Sequence, residues 1–137
     1  MKTRLSLVAT GVVAAAALVT ASLALAGANA ATLHLTAKDN NKSFTVHRHC
    51  AIVITLRNPG WDGGYHWTRG YSSGVKLVSH RYIAPKQKPG TVGGGVGKDI
   101  WRFTVVGPTM TEGEIQLRYV SPARKVDHKF VVGIRVG

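Results

Sequence analysis

The chain has 137 residues, with 18 Lys and Arg against 6 Asp and Glu, one Cys and a formal net charge of +12. A single cysteine excludes an internal disulfide, so the fold must be held by its core. So few carboxylates leave little material for paired-acid catalysis, while the basic surface will attract polyanions.

The first element in the chain reads as an export signal. Lys2 and Arg4 form a short positive region, Leu5 to Ala26 is almost wholly apolar, and Ala28-Asn29-Ala30 supplies a small-x-small cleavage site. An uncleaved membrane anchor is the other reading of an apolar run of this length. No Cys follows the run at the cleavage site, which argues against a lipid anchor. The expected organisation is a signal peptide over residues 1–30 and one domain over 31–137, secreted to the medium or the cell wall, with no membrane span after cleavage. Losing Lys2 and Arg4 leaves 16 cations against 6 anions, a net charge of +10. Loose association with anionic cell-wall polymers is expected of such a surface; export and the lack of a basic-aromatic module argue against nucleic acid.

After Ala31 the apolar residues alternate. Leu33 and Leu35 come first, then Phe44 and Val46, then Ile52, Ile54 and Leu56. Trp101, Phe103 and Val105 follow, then Ile115, Leu117 and Tyr119, and finally Phe130, Val132, Ile134 and Val136. A period of two marks strands with one buried face. Turn-forming groups separate the rows, among them Asn58-Pro59-Gly60, Asp62-Gly63-Gly64, Gly93-Gly94-Gly95 and Ser121-Pro122. No stretch after Ala31 keeps a helical period. The pattern predicts an all-β, antiparallel sandwich or barrel.

Candidate chemistry is thin. Glu112 and Glu114 read as the solvated end of a hairpin. His47 and His49 would share one side of a strand and could hold a metal with His34 or His128, but the segment His47-Arg48-His49-Cys50 reads better as a polar turn leading into a strand. Gly93 to Lys98 has the composition of a phosphate loop, yet a strand follows where a helix is required. Neither an enzyme, nor a metal, nor a cofactor is expected. Cys50 is expected either buried and inert, the commoner case for a free Cys, or exposed as a route to a disulfide-linked dimer.

The loops are more informative. Asn58-Pro59-Gly60-Trp61-Asp62-Gly63-Gly64-Tyr65-His66-Trp67 contains Asn-Pro, then Gly-Tyr-x-Trp, with extra residues between Pro59 and Gly64. Gly94-Gly95-Val96-Gly97 stands before a strand, and Tyr119-Val120-Ser121-Pro122-Ala123 carries a Pro after a strand ending in Tyr. In this order the segments resemble the loops of the chagasin family of cysteine-protease inhibitors. The resemblance runs from Thr32 to Val136. It implies an immunoglobulin-like sandwich whose partner is a papain-like cysteine protease; a monomer is expected. It places Asn58, Pro59, Gly60, Trp61, Asp62, Gly63, Gly64 and Tyr65 in the protease cleft. Gly94, Gly95, Val96 and Gly97 would grip one wall, and Ser121, Pro122, Ala123 and Arg124 the other. The chain departs from the family at the first loop's tip, where Gly60, Trp61, Asp62 and Gly63 replace small hydroxyl residues. In the third loop only the Pro is kept. Read without the resemblance, loops rich in Trp, Tyr and Gly on a basic sandwich also suit a wall- or glycan-binding module. Trp67 is expected in the core and Trp61 at the exposed tip.

Overall fold

Each alternating row forms a strand in the computed structural model, which describes residues 31–86, 90 and 95–137. The expected signal segment and Gly94 lie outside the described residues. The strands are β1 (Thr32–Leu35), β2 (Lys42–Val46), β3 (Ala51–Asn58), β4 (His66–Ser73), β5 (Val75–Ile83), β6 (Gly97–Val105), β7 (Glu112–Val120) and β8 (Val126–Val136). They build two four-stranded sheets, ordered β1-β3-β6-β5 and β2-β8-β7-β4. The inward-facing residues of both sheets meet in one core. Ile52, Ile54, Phe103, Val105, Ile115, Leu117 and Val132 are all at 1% exposure or less. All-β sandwich architecture is therefore what the alternation encodes. Among the described residues no helix is long and apolar enough to cross a membrane.

The pairing differs from the expected all-antiparallel arrangement at two edges. β1 pairs parallel with β3, and β2 pairs parallel with β8. The cause is topological. β1, β2 and β3 alternate between the two sheets, so β1 and β3, separated by one strand of the opposite sheet, run the same way. Glu112 and Glu114 also differ from expectation: they are not in a turn but open β7, where Glu112 pairs with Arg135 across the sheet at 2.6 Å.

His47, Arg48 and His49 do form an exposed turn between β2 and β3, closed by the Cys50 amide donating to the His47 carbonyl. Among the described residues no three His, Cys, Asp or Glu side chains gather as a metal site. Cys50 is buried at 2% exposure, and its thiol donates to the Ala31 carbonyl at 3.1 Å. Burial pushes this thiol above its usual 9.0, opposed by a backbone hydrogen bond at Leu33. A thiol reagent at pH 8 should therefore leave the folded protein unlabelled and react only after denaturant is added. The sign for stability follows: folding favours the protonated thiol, so its contribution is complete below pH 9 and is lost as pH rises through the higher folded value. Labelling of the native protein within minutes would contradict this burial.

Candidate functional site: three loops at one end of the sandwich

The strand registers bring the three loops to one end. Asn58 at the end of β3 pairs with Gly97 at the start of β6, and Ile83 at the end of β5 pairs with Lys98. His66 at the start of β4 pairs with Val120 at the end of β7, which also pairs with Val126 at the start of β8. Strands β5 and β6 thus form a hairpin within one sheet, and β7 and β8 a hairpin within the other. The β3–β4 loop crosses between the sheets. It lies between the two hairpins because it is the connection that bridges the layers.

The crossing loop is a single 3-10 turn over Trp61–Gly63. The Gly60 carbonyl accepts from the amides of both Gly63 and Tyr65, and the Gly64 amide donates back to Trp61. The extra residues between Pro59 and Gly64 are taken up in this turn. Gly64 ends it in the left-handed region, φ 87°, where a β-carbon would also lie 3.0 Å from the Pro122 ring. Pro122 therefore carries the contact between the first and third loops.

Below the loop runs a chain of buried polar groups. Asn58 is 1% exposed; its Nδ2 donates to Asp99 Oδ2 at 2.9 Å, and its Oδ1 accepts from the Tyr119 hydroxyl at 2.8 Å. The same hydroxyl accepts from the Gly60 amide at 2.7 Å. Burial, helped by nearby acidic groups and opposed by that backbone bond, raises the Tyr119 phenol above its usual 10.0, so it stays protonated and able to donate at neutral pH. Asp99, 0% exposed, accepts from His80 Nε2 at 2.6 Å, and the His80 ring stacks on Trp101. Trp67 lies in the core, as expected, and its Nε1 donates to the Arg57 carbonyl at 3.0 Å, tying the sheets together beneath the loop. Tyr65 is half-buried and stacks on Tyr119.

The tip stands proud of this base. Pro59, Asp62, Gly63 and Gly64 are exposed, and Trp61 is 43% exposed. One face of Trp61 lies flat on Tyr82, with ring centroids 3.9 Å apart and planes within 7°. Tyr82 belongs to β5 and is absent from the sequence-based candidates. The sequence signal for it was weak, because β5 is an edge strand with a register shift between Leu77 and Ser79 that breaks the alternation. Gly97 is what admits Tyr82: a β-carbon there would run into the phenol. A pocket of about 290 Å³ opens beside the tip, walled by Pro59, Trp61, Asp62, Tyr82, Ala84, Pro85 and Gly95.

Most expected contact residues thus reach a common surface: Pro59, Trp61, Asp62, Gly63, Gly64, Gly95, Pro122, Ala123 and Arg124 are exposed, and Gly60, Tyr65 and Val96 partly so. Three do not. Asn58, Gly97 and Ser121 are buried. Asn58 and Ser121 spend their side chains inside the protein, Ser121 through its hydroxyl accepting from the Lys125 amide, and Gly97 serves by lacking one. They shape the loops from beneath.

The sandwich thus presents the β3–β4 loop at the same end as the loop-side ends of its β5–β6 and β7–β8 hairpins. The chain belongs to the chagasin family of peptidase inhibitors, whose family profile matches residues 45–134. This is a family of inhibitors and not of enzymes. Among solved structures it is similar to amebosin, at 25% identity and a TM-score of 0.62 over 80% of this chain and 100% of that one. It is also similar in fold to EhICP2, a cysteine protease inhibitor from Entamoeba histolytica, at 19% identity and a TM-score of 0.63 over 78% of this chain and 96% of that one. No curated protein sequence matches it.

Proposed function

We infer that this protein is an exported inhibitor of papain-like cysteine proteases, acting by inserting the β3–β4 loop into the active-site cleft. The observation that carries the reading is the loop arrangement: an exposed Trp61 tip on a hydrogen-bonded base, set between two hairpins that can meet the cleft walls. Family membership supports inhibition over a sugar-binding role for these same loops, and the structural neighbour EhICP2 is itself a cysteine protease inhibitor. The loop would cover the catalytic thiol without offering a scissile bond in register. Its 3-10 turn keeps the chain from lying extended as a substrate must. The tip carries a broad aromatic with few rotatable bonds on a turn already closed by hydrogen bonds, which leaves less entropy to lose on binding and favours slow release.

The test is a titration of papain with protein expressed from the full-length sequence. Reversible loss of activity at nanomolar to low micromolar inhibitor, with the inhibitor recovered uncleaved, is expected. Full papain activity at a large micromolar excess would overturn the reading. Export, inferred from residues 1–30, is checked separately by finding the protein outside the cell with its amino terminus near Ala31.

A further inference from the structure

We propose that the outer face of the β1-β3-β6-β5 sheet is a second binding surface, for an anionic polysaccharide, separate from the loop wedge. The sheet's outward positions follow from its register and burial. On β6 these are Lys98, Ile100, Arg102 and Thr104, alternating with the inward Asp99, Trp101 and Phe103. Opposite Lys98 stands Arg57 of β3; opposite Ile100 and Thr104 stand Arg81 and Lys76 of β5. Arg57, Arg81, Lys98, Arg102 and Lys76 are all exposed.

No carboxylate shares this face. Of the chain's six Asp and Glu, Asp99 points inward, Glu112, Glu114 and Asp127 lie on the opposite sheet, and Asp39 and Asp62 lie in turns. Neither of the ion pairs Lys42–Asp39 and Arg135–Glu112 reaches it. Arg57 and Lys98 are direct cross-strand neighbours, a like-charge pairing that is unfavourable unless something negative lies over it. The other sheet also opposes two cations, Arg118 and Lys129, but its strands carry Glu112, Glu114 and Asp127 as well. What distinguishes this face is five cations with no carboxylate among them, whereas the cations of the other sheet share it with acids.

The chemistry favours a charged sugar polymer. Strands about 4.8 Å apart, with like-facing residues about 7 Å apart along them, spread the cations over a ladder suited to repeating anionic groups. Thr55, Ser79 and Thr104 place hydroxyls among the cations, where sugar hydroxyls can be met. The outward positions of β3 and β6 hold no aromatic side chain, so the face lacks the stacking platform that single-stranded nucleic acid requires.

The experiment uses protein expressed from the full-length sequence, with immobilised heparin as the sulfated-polysaccharide probe and single-stranded DNA as the comparison. Two triple variants remove the same charge: Lys76→Gln/Arg81→Gln/Arg102→Gln from this face, and Arg118→Gln/Lys129→Gln/Arg135→Gln from the other. Thermal melts establish that both are folded. The first variant should bind heparin about tenfold more weakly at physiological salt and the second within about twofold of the parent. Equal weakening by both would mean that net charge alone governs retention and would overturn the proposal, as would no weakening by the first. Tighter binding to DNA than to heparin, lost in the same variant, would overturn the polysaccharide assignment.

Discussion

Replacing Trp61 by Ala is expected to raise the inhibition constant for papain about thirtyfold or more while leaving the melting temperature nearly unchanged. A central aromatic anchor removed from an interface costs about 2 kcal/mol or more, which is that factor in affinity. Stability is spared because Trp61 is 43% exposed and rests only one face on Tyr82. Tyr82 supplies the control. Stacked aromatic pairs contribute about 0.5–1.5 kcal/mol beyond burial, so Tyr82→Ala should weaken inhibition by up to about tenfold through a loosened Trp61, while Tyr82→Phe should be nearly neutral. An unchanged inhibition constant in Trp61→Ala would mean that Trp61 stays outside the cleft and that the hairpin loops carry the contact.

Asn58→Ala should have the larger effect on folding. It strands two buried partners, the Tyr119 hydroxyl and Asp99 Oδ2, where water cannot readily replace the lost amide. Leaving buried polar groups unpaired costs about 2–4 kcal/mol here, which in a domain of this size lowers the melting temperature by about 10–20 °C. Inhibition should fall as well at temperatures where the variant remains folded, because Tyr119 also holds the Gly60 amide at the loop's base. Tyr119→Phe gives the comparison: it keeps the ring contacts with Tyr65 and Trp67 but releases Gly60 and Asn58 together. Calorimetry and papain titration on the same samples separate the two effects. A melting temperature within a few degrees of the parent for Asn58→Ala would show that the polar chain beneath the loop contributes little.

Alternation along the chain encoded the layered β architecture and most of the core. Every apolar row with period two, from Leu33–Leu35 to Phe130–Val136, became a strand, because alternation directly encodes one buried face. The sequence also located the three loops, through Gly and Pro groups that no strand interior accepts, and placed Trp67 inside and Trp61 outside. β5 was not legible: an edge strand buries little, and its irregular register hides the period in Val75 to Ile83. With β5 went Tyr82, and so the seat of Trp61. The parallel pairing at both edges was equally hidden, since strand direction depends on which sheet each strand joins and not on its own residues.

The roles of Asn58 and Asp99 come from strand pairing and are not visible in the local sequence. In the sequence Asn58 is a turn residue and Asp99 a lone acid 41 positions away; they meet because β3 and β6 pair at that end of the sheet. Long-range pairing likewise brought Arg57, Lys98, Arg81, Arg102 and Lys76 onto one face. Periodicity is a local property that each segment carries with it. Convergence of loops, burial of a polar chain and concentration of charge depend on which strands become neighbours, and packing of the whole chain sets that.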